Sequence, residues 1–144
     1  MLSIPEMHLS GSHEWSLPPS KSHIIRWLTM ISQSNSTCLI KLNKSPGADV
    51  NSMAECLQEM GVNVERNKDG WLVTPPKQGL SAPNIGMNCG NSGTSARVLT
   101  ALVATMGEKV KLDGDESLRA RSSSLGQILR DLQVNVDSDS LPVI

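Results

Sequence analysis

The sequence is poor in aromatic residues: it lacks Phe and Tyr, and its three tryptophans are Trp15, Trp27 and Trp71. Proteins that bind single-stranded nucleic acid usually stack its bases on aromatic side chains. With a net charge of −1, the chain also lacks the excess of basic residues that binding to a phosphate backbone requires. We therefore expect no nucleic-acid partner, and we expect aliphatic side chains and the seven methionines to fill the core.

Long apolar runs are missing as well. The first ten residues carry Glu6 and His8 and contain no continuous apolar stretch, which fits neither a secretory signal nor a membrane span. We expect a soluble, cytoplasmic protein with no membrane partner.

Cysteines are few and poorly spaced for metal binding. Cys38, Cys56 and Cys89 form no Cys-x-x-Cys pair, and their odd number argues against a disulfide framework. The sequence also lacks the Gly-x-x-x-x-Gly-Lys-Ser/Thr and Gly-x-Ser-x-Gly motifs of nucleotide P-loops and serine hydrolases. We expect no metal and no cofactor. Cys89 lies beside a glycine-rich loop and is the one candidate reactive thiol.

The chain does contain an internal repeat. Val62-Asn63-Val64 returns as Val134-Asn135-Val136, and the helical pattern before each copy returns at the same offset of 72 residues. Such a period indicates units that bury their apolar faces against one another. We assign repeat unit one to about residues 14–76 and repeat unit two to about 84–144, within one partial domain over 1–144.

Each unit is expected to alternate strands and helices. Apolar spacing and turn residues predict helices over 21–32, 49–60, 93–106 and 123–132, and strands over 37–42, 62–66, 71–74, 109–112 and 134–137. Ser20 is the expected N-cap of the first helix. The resulting order is βαβαββ, which is typical of an α/β architecture with right-handed crossovers.

Small and cationic residues gather where the first helix of each unit begins. Ser20-Lys21-Ser22 opens that helix in unit one, and Gly90-Asn91-Ser92-Gly93-Thr94 opens it in unit two. Unpaired N–H groups at a helix N-terminus favour anions, and small residues let an anion approach the backbone. The nearby cations, which can hold phosphate or carboxylate, are Lys21, Arg26, Arg97, Arg119 and Arg121.

Three motifs in this order resemble one enzyme family. They are Leu17-Pro18-Pro19-Ser20-Lys21-Ser22 with Arg26, Gly90-Asn91-Ser92-Gly93-Thr94-Ser95-Ala96-Arg97, and Gly114-Asp115-Glu116-Ser117-Leu118-Arg119-Ala120-Arg121. Together they resemble the first part of the 5-enolpyruvylshikimate-3-phosphate (EPSP) synthase family, the 3-phosphoshikimate 1-carboxyvinyltransferases. The resemblance implies the enolpyruvyl transferase fold, an inside-out α/β barrel. Two of the three βαβαββ units of one domain would be present here.

The resemblance also implies a reaction and its binding residues. The enolpyruvyl group of phosphoenolpyruvate is transferred to the 5-hydroxyl of shikimate 3-phosphate, with release of phosphate, in chorismate and aromatic amino-acid biosynthesis. By resemblance, Lys21 contacts both substrates, Ser22 and Arg26 hold shikimate 3-phosphate, and Gly93 and Arg121 lie beside phosphoenolpyruvate. Cations and helix-end N–H groups there would neutralise two substrates that otherwise repel one another. No catalytic residue is assigned.

Two further polar residues have two possible roles each. Asp49 and Asn91 either shape the same site or serve only as helix cap and turn former, respectively.

The sequence departs from the family pattern at three positions. Pro19, Val98 and Ser122 stand where the family usually has Gly, Pro and Pro, respectively.

The chain is shorter than the family's usual length. The third unit of this domain and most of the second domain are expected to be absent, together with the family's proton acceptor. Because a cleft between two domains cannot close on one partial domain, we expect no turnover by this chain alone. Three alternatives stay open: a transferase acting on a UDP-sugar, a non-catalytic anion-binding module that recruits a third unit from another chain, and an incomplete coding sequence.

Overall fold

The computed structural model describes residues 10–12, 14–121, 125–139 and 141. Its helices are α1 (Lys21–Ser32), α2 (Ala48–Glu59), α3 (Gly93–Val103), α4 (Glu116–Arg119) and α5 (Leu125–Asp131). Its strands are β1 (Cys38–Lys41), β2 (Asn63–Asn67), β3 (Gly70–Thr74), β4 (Met87–Asn88) and β5 (Leu112–Asp113). Among these helices none is long and apolar enough to cross a membrane.

The first half of the chain forms a three-stranded sheet in the order β1-β3-β2. Both outer strands are antiparallel to β3, with Cys38 opposite Val73 and Asn63 opposite Thr74. Strands β1 and β2 therefore run in the same direction, and α2 connects them. In the second half, β4 and β5 pair in parallel, with α3 between them in the chain. The α/β class expected from the sequence is confirmed.

One hydrophobic core joins the two halves. Helix α1 buries Ile24, Ile25, Leu28 and Ile31, and the same core contains Val50 and Leu57 of α2 and Leu99 of α3. Apolar side chains with helical spacing place one face of each helix in this core. The starts of α1, α2 and α3 are thereby held in fixed positions relative to one another.

The 72-residue offset also relates elements of the structure. Helix α1 begins at Lys21 and α3 at Gly93, while α2 ends at Glu59 and α5 at Asp131. Division of the chain into units over 14–76 and 84–144 remains a prediction, which this correspondence supports.

Several sequence predictions of secondary structure are wrong. Residues 14–20 form no strand, so the expected first strand of unit one is missing, and residues 134–137 form no strand either. Gln133 has a φ of 64°, and it turns the chain after α5 before Val136 packs as a buried residue. A strand needs a hydrogen-bonded neighbour. Residues 142–144 lie outside the described residues, as do residues 122–124 at the expected start of the last helix.

Helix α3 is shorter than expected. It ends at Val103 rather than Met106, because the amides of Thr105 and Met106 bond to carbonyls only three residues back. Gly107 follows with a φ of 70° and completes the turn.

Candidate anion-binding site

The N-terminus of α1 supplies the first part of the site. The chain reaches this helix through Pro18-Pro19, and Ser20 occupies the N-cap position in an extended conformation. The expected N-cap position of Ser20 is confirmed, although its side chain makes no capping hydrogen bond. The N–H groups of the first turn at Ser22 are therefore not occupied by a capping side chain and can bind an anion. The guanidinium of Arg26 lies along the same helix and donates to the carbonyl of Ser22 at 3.5 Å.

Lys21 is tied to the starts of the other two long helices. Its Nζ lies 2.8 Å from Oδ2 of Asp49, in the first turn of α2. The hydroxyl of Ser95, in the first turn of α3, donates to the backbone carbonyl of Asp49 at 3.3 Å. Asp49 therefore links three helix N-termini, and its role in shaping the site stays a prediction. The Lys21 side chain remains 53% exposed, so its charge is accessible to a ligand.

The loop before α3 is built of small residues that pack closely. Ser92 is fully buried and caps α3, with its Oγ accepting from the amide of Ser95 at 3.2 Å. Gly90 has a φ of 57°, and a Cβ at that position would lie 2.8 Å from Oγ of Ser52 in α2. A side chain at Gly90 would therefore force the Ser52 hydroxyl to move and would be strained at this positive φ. This packing places Gly93 at the first position of α3, where it is only half-buried.

Two arginines lie against Gly93. A Cβ at Gly93 would be 3.3 Å from one terminal nitrogen of Arg97 and 3.5 Å from one of Arg121. Arg97 donates to the carbonyl of Gly93 at 3.3 Å, and Arg121 donates to the carbonyl of Asn91 at 3.4 Å and to the side-chain oxygen of Asn91. Two guanidinium groups beside a helix N-terminus form an arrangement suited to phosphate or carboxylate.

The structure places the expected binding residues in two groups, each at the start of a helix. Lys21, Ser22 and Arg26 lie at the start of α1, and Gly93 and Arg121 lie at the start of α3. Among the described residues, Lys21 and Arg121 share no hydrogen bond, and the connection between the groups runs through Asp49 and Ser95. A cavity of about 50 Å³ lies beside the second group, where Gly93, Arg97 and Arg121 line it, and most of its other lining residues are apolar.

Two expectations about charge and reactivity are changed. Arg119 is engaged by Asp113 through two hydrogen bonds of 2.8 and 2.7 Å, which hold the pKa of the Asp113 carboxyl below its usual value. Cys89 is fully buried, and a hydrogen bond with Cys56, together with burial, raises the pKa of its thiol. Cys89 is therefore not the reactive thiol that its glycine-rich neighbourhood indicated. Among the described residues no group of three or more His, Cys, Asp or Glu side chains could hold a metal ion.

Sequence reasoning missed Asp115. This residue caps α4, accepting from the amide of Leu118 at 2.7 Å, and also accepts from the side-chain amide of Asn91 at 2.8 Å. The capping role was readable from an aspartate placed before a short helical segment. The contact with Asn91 crosses 24 residues of sequence and left no local signal.

The fold and this surface define an α/β protein with cations gathered at linked helix N-termini. A family model described as EPSP synthase (3-phosphoshikimate 1-carboxyvinyltransferase) matches residues 9–143. The chain belongs to the EPSP synthase family.

Individual relatives agree with this assignment. The 3-phosphoshikimate 1-carboxyvinyltransferase of Herpetosiphon aurantiacus is 39% identical over 94 residues, which cover 64% of this chain and 22% of that protein. The enzyme of the same name from Halobacterium salinarum is 33% identical over 104 residues, covering 72% and 24%. The solved structure of EPSP synthase from Acinetobacter baumannii superposes with a TM-score of 0.76 at 25% identity, over 90% of this chain and 31% of that one. The chain thus spans less than a third of the length of these relatives, and it has the fold of the corresponding part of the enolpyruvyl transferase structure.

Proposed function

We propose that this chain provides part of the substrate-binding surface of an EPSP synthase, which transfers the enolpyruvyl group of phosphoenolpyruvate to shikimate 3-phosphate and releases phosphate. The observation that carries the proposal is the gathering of cations at the linked starts of α1 and α3, in a chain that belongs to this family. Both substrates carry phosphate and carboxylate groups, and these are the groups that helix N-termini and guanidinium forks bind.

The two groups of residues are proposed to bind different substrates. Lys21, Ser22 and Arg26 bind shikimate 3-phosphate, and Gly93 and Arg121 bind phosphoenolpyruvate. The ion pair with Asp49 holds Lys21 between these two groups of residues. Neutralising both anions on one surface lowers the repulsion that opposes their approach.

We further propose that the 144-residue chain binds these anions without turning them over. The chain spans less than a third of the length of its relatives, and transfer chemistry needs both substrates held in line and shielded from water. A cytoplasmic location remains a prediction from the sequence.

Titration calorimetry of the purified chain with shikimate 3-phosphate tests the binding proposal. We expect saturable binding that Lys21→Met weakens about tenfold, the loss expected when one charge-assisted contact is removed. Lys68→Met is the matched control, because Lys68 lies in the turn between β2 and β3 and the same charge is removed. Equal losses in both variants would show nonspecific attraction and contradict the assigned site.

Phosphate release from a mixture of shikimate 3-phosphate and phosphoenolpyruvate tests the second proposal. We expect a rate no higher than that of a blank without protein. Release that depends on both substrates and disappears in Lys21→Met would show that the chain alone is a complete enzyme.

A further inference from the structure

We propose that Asp115 is a positioning residue that aims Arg121 at the anion site through the side chain of Asn91. This inference rests on the proposed role of Arg121 in binding phosphoenolpyruvate.

Both carboxylate oxygens of Asp115 have separate partners. Oδ1 accepts from the amide of Leu118 at 2.7 Å and so caps α4. Oδ2 accepts from the side-chain Nδ2 of Asn91 at 2.8 Å. Because a carboxylate only accepts hydrogen bonds, Asn91 must turn its NH2 group towards Asp115.

This orientation determines what Asn91 offers to Arg121. With its NH2 group turned to Asp115, Asn91 presents Oδ1 to the guanidinium, and a terminal nitrogen of Arg121 donates to that oxygen. The same arginine donates to the carbonyl of Asn91 at 3.4 Å and to Oγ of Ser117 at 3.4 Å. Arg121 is thus held by three oxygens: Nη2 donates to the side chains of Asn91 and Ser117, and Nη1, which lies beside Gly93, donates to the carbonyl of Asn91.

The backbone fixes the distance between Asp115 and Asn91. The amide of Asp115 donates to the carbonyl of Gly90 at 2.9 Å, and the amide of Cys89 donates to the carbonyl of Asp113 at 2.8 Å. These bonds extend the pairing of β4 with β5 into the two loops. An exposed arginine otherwise samples many rotamers, so holding it in place before a ligand arrives reduces the ordering cost of binding.

The substitution Asp115→Asn separates positioning from capping. Asparagine is as good an N-cap as aspartate, so α4 should keep its start. However, an amide has one acceptor oxygen, and if that oxygen caps α4, the NH2 group of residue 115 faces the NH2 group of Asn91. Asn91 must then turn over and present a donor to Arg121, which has only donors itself.

We expect Asp115→Asn to weaken phosphoenolpyruvate binding about tenfold, the effect of losing one charge-assisted hydrogen bond. Asn91→Leu should cause a similar loss, and the double variant should lose no more than either single variant, because both break the same connection. Asp69→Asn, which makes the same change in the turn between β2 and β3, should bind within about twofold of the unchanged chain. Losses that multiply in the double variant, or an affinity unchanged in Asp115→Asn, would overturn the proposal.

A ligand-free measurement keeps this test independent of the proposed function. In ¹⁵N NMR spectra, the side-chain NH2 signals of Asn91 and the Nε–H signal of Arg121 should both shift in Asp115→Asn and stay unchanged in Asp69→Asn. If the chain fails to bind phosphoenolpyruvate but these signals shift, the proposed function fails and the positioning role stands. If they do not shift, the positioning role is wrong. Should Asp115→Asn not fold, the same signals in Asp115→Ser decide the question, because serine keeps a capping oxygen for α4 but leaves no second oxygen for Asn91.

Discussion

Gly114 offers the sharpest test of how the loops of the site pack. It lies between β5 and Asp115, and a Cβ at this position would be 2.5 Å from Cδ2 of Leu118 and 2.7 Å from the carbonyl oxygen of Gly90. A flexible side chain can move away from such a contact, but a backbone carbonyl cannot move alone. That carbonyl also accepts the hydrogen bond from the amide of Asp115.

The cost of Gly114→Ala follows from these contacts. Forcing an extra methyl group into a packed site costs about 1–3 kcal/mol, and loss of the hydrogen bond to Gly90 adds about 1 kcal/mol. Alanine returns about 0.4–1 kcal/mol by restricting the unfolded chain. We expect a net loss of about 2 kcal/mol in the free energy of unfolding, or roughly 4–8 °C in Tm for a chain of this size.

Thermal unfolding followed by circular dichroism measures this effect. Gly47→Ala is the matched control, because a Cβ at Gly47 would meet no atom within 4 Å and its φ of −70° suits alanine. We expect the control to change the free energy of unfolding by less than about 1 kcal/mol. A Tm for Gly114→Ala equal to or above that of the control would refute the packing described for these loops.

Three other predictions follow from charge and burial. Lys21→Met should change the free energy of unfolding by less than about 1 kcal/mol, because exposed ion pairs contribute little. Chemical denaturation measures this change, and a loss of several kcal/mol would show that Lys21 is needed for the fold. A thiol reagent should label half-buried Cys38 in the native chain and Cys89 only after unfolding. Mass spectrometry of the labelled peptides measures this difference, and rapid labelling of Cys89 in the native chain would contradict its burial. The ion pair with Arg119 lowers the pKa of the Asp113 carboxyl, so the stability that this pair contributes should be lost as pH falls below about 4. Acid unfolding measures this loss, and Asp113→Asn should flatten it; equal acid profiles for both chains would argue against the pairing.

Local patterns predicted the first half of the fold well because each element has a clear start and end. Helix α1 covers the predicted residues 21–32: its apolar residues repeat at helical spacing, and Pro18-Pro19 lies before it. The β2–β3 hairpin was readable from its turn, where the amide of Asp69 bonds to the side chain of Asn67.

The second half shows what a repeat in sequence cannot predict. Residues 134–136 copy 62–64 in sequence, yet only the first copy contributes to a strand, with Asn63 and Val64 paired to β3. A strand needs a hydrogen-bonding partner strand that can be distant in sequence, whereas a helix forms its backbone hydrogen bonds between residues four apart. This difference explains why the helices were predicted better than the strands.

The residues of the candidate site likewise divide into those that local sequence predicts and those whose roles depend on distant contacts. Lys21 and Gly93 were predicted as parts of the site because small and charged residues at helix starts have a local signature. The roles of Asp49 and Asp115 depend on contacts with Lys21 and Asn91, which are distant in sequence. Burial of Cys89 likewise depends on how α2 packs against the loop after β4.

The most direct test of the account is an amide-resolved NMR titration of this chain, first with shikimate 3-phosphate and then with phosphoenolpyruvate. We predict saturable shifts at Lys21, Ser22 and Arg26 with the first ligand and at Gly93 and Arg121 with the second. Shifts confined to other parts of the chain, or no saturable shifts in a spectrum whose signals are well dispersed, would contradict the claim that the linked starts of α1 and α3 form a substrate-binding surface.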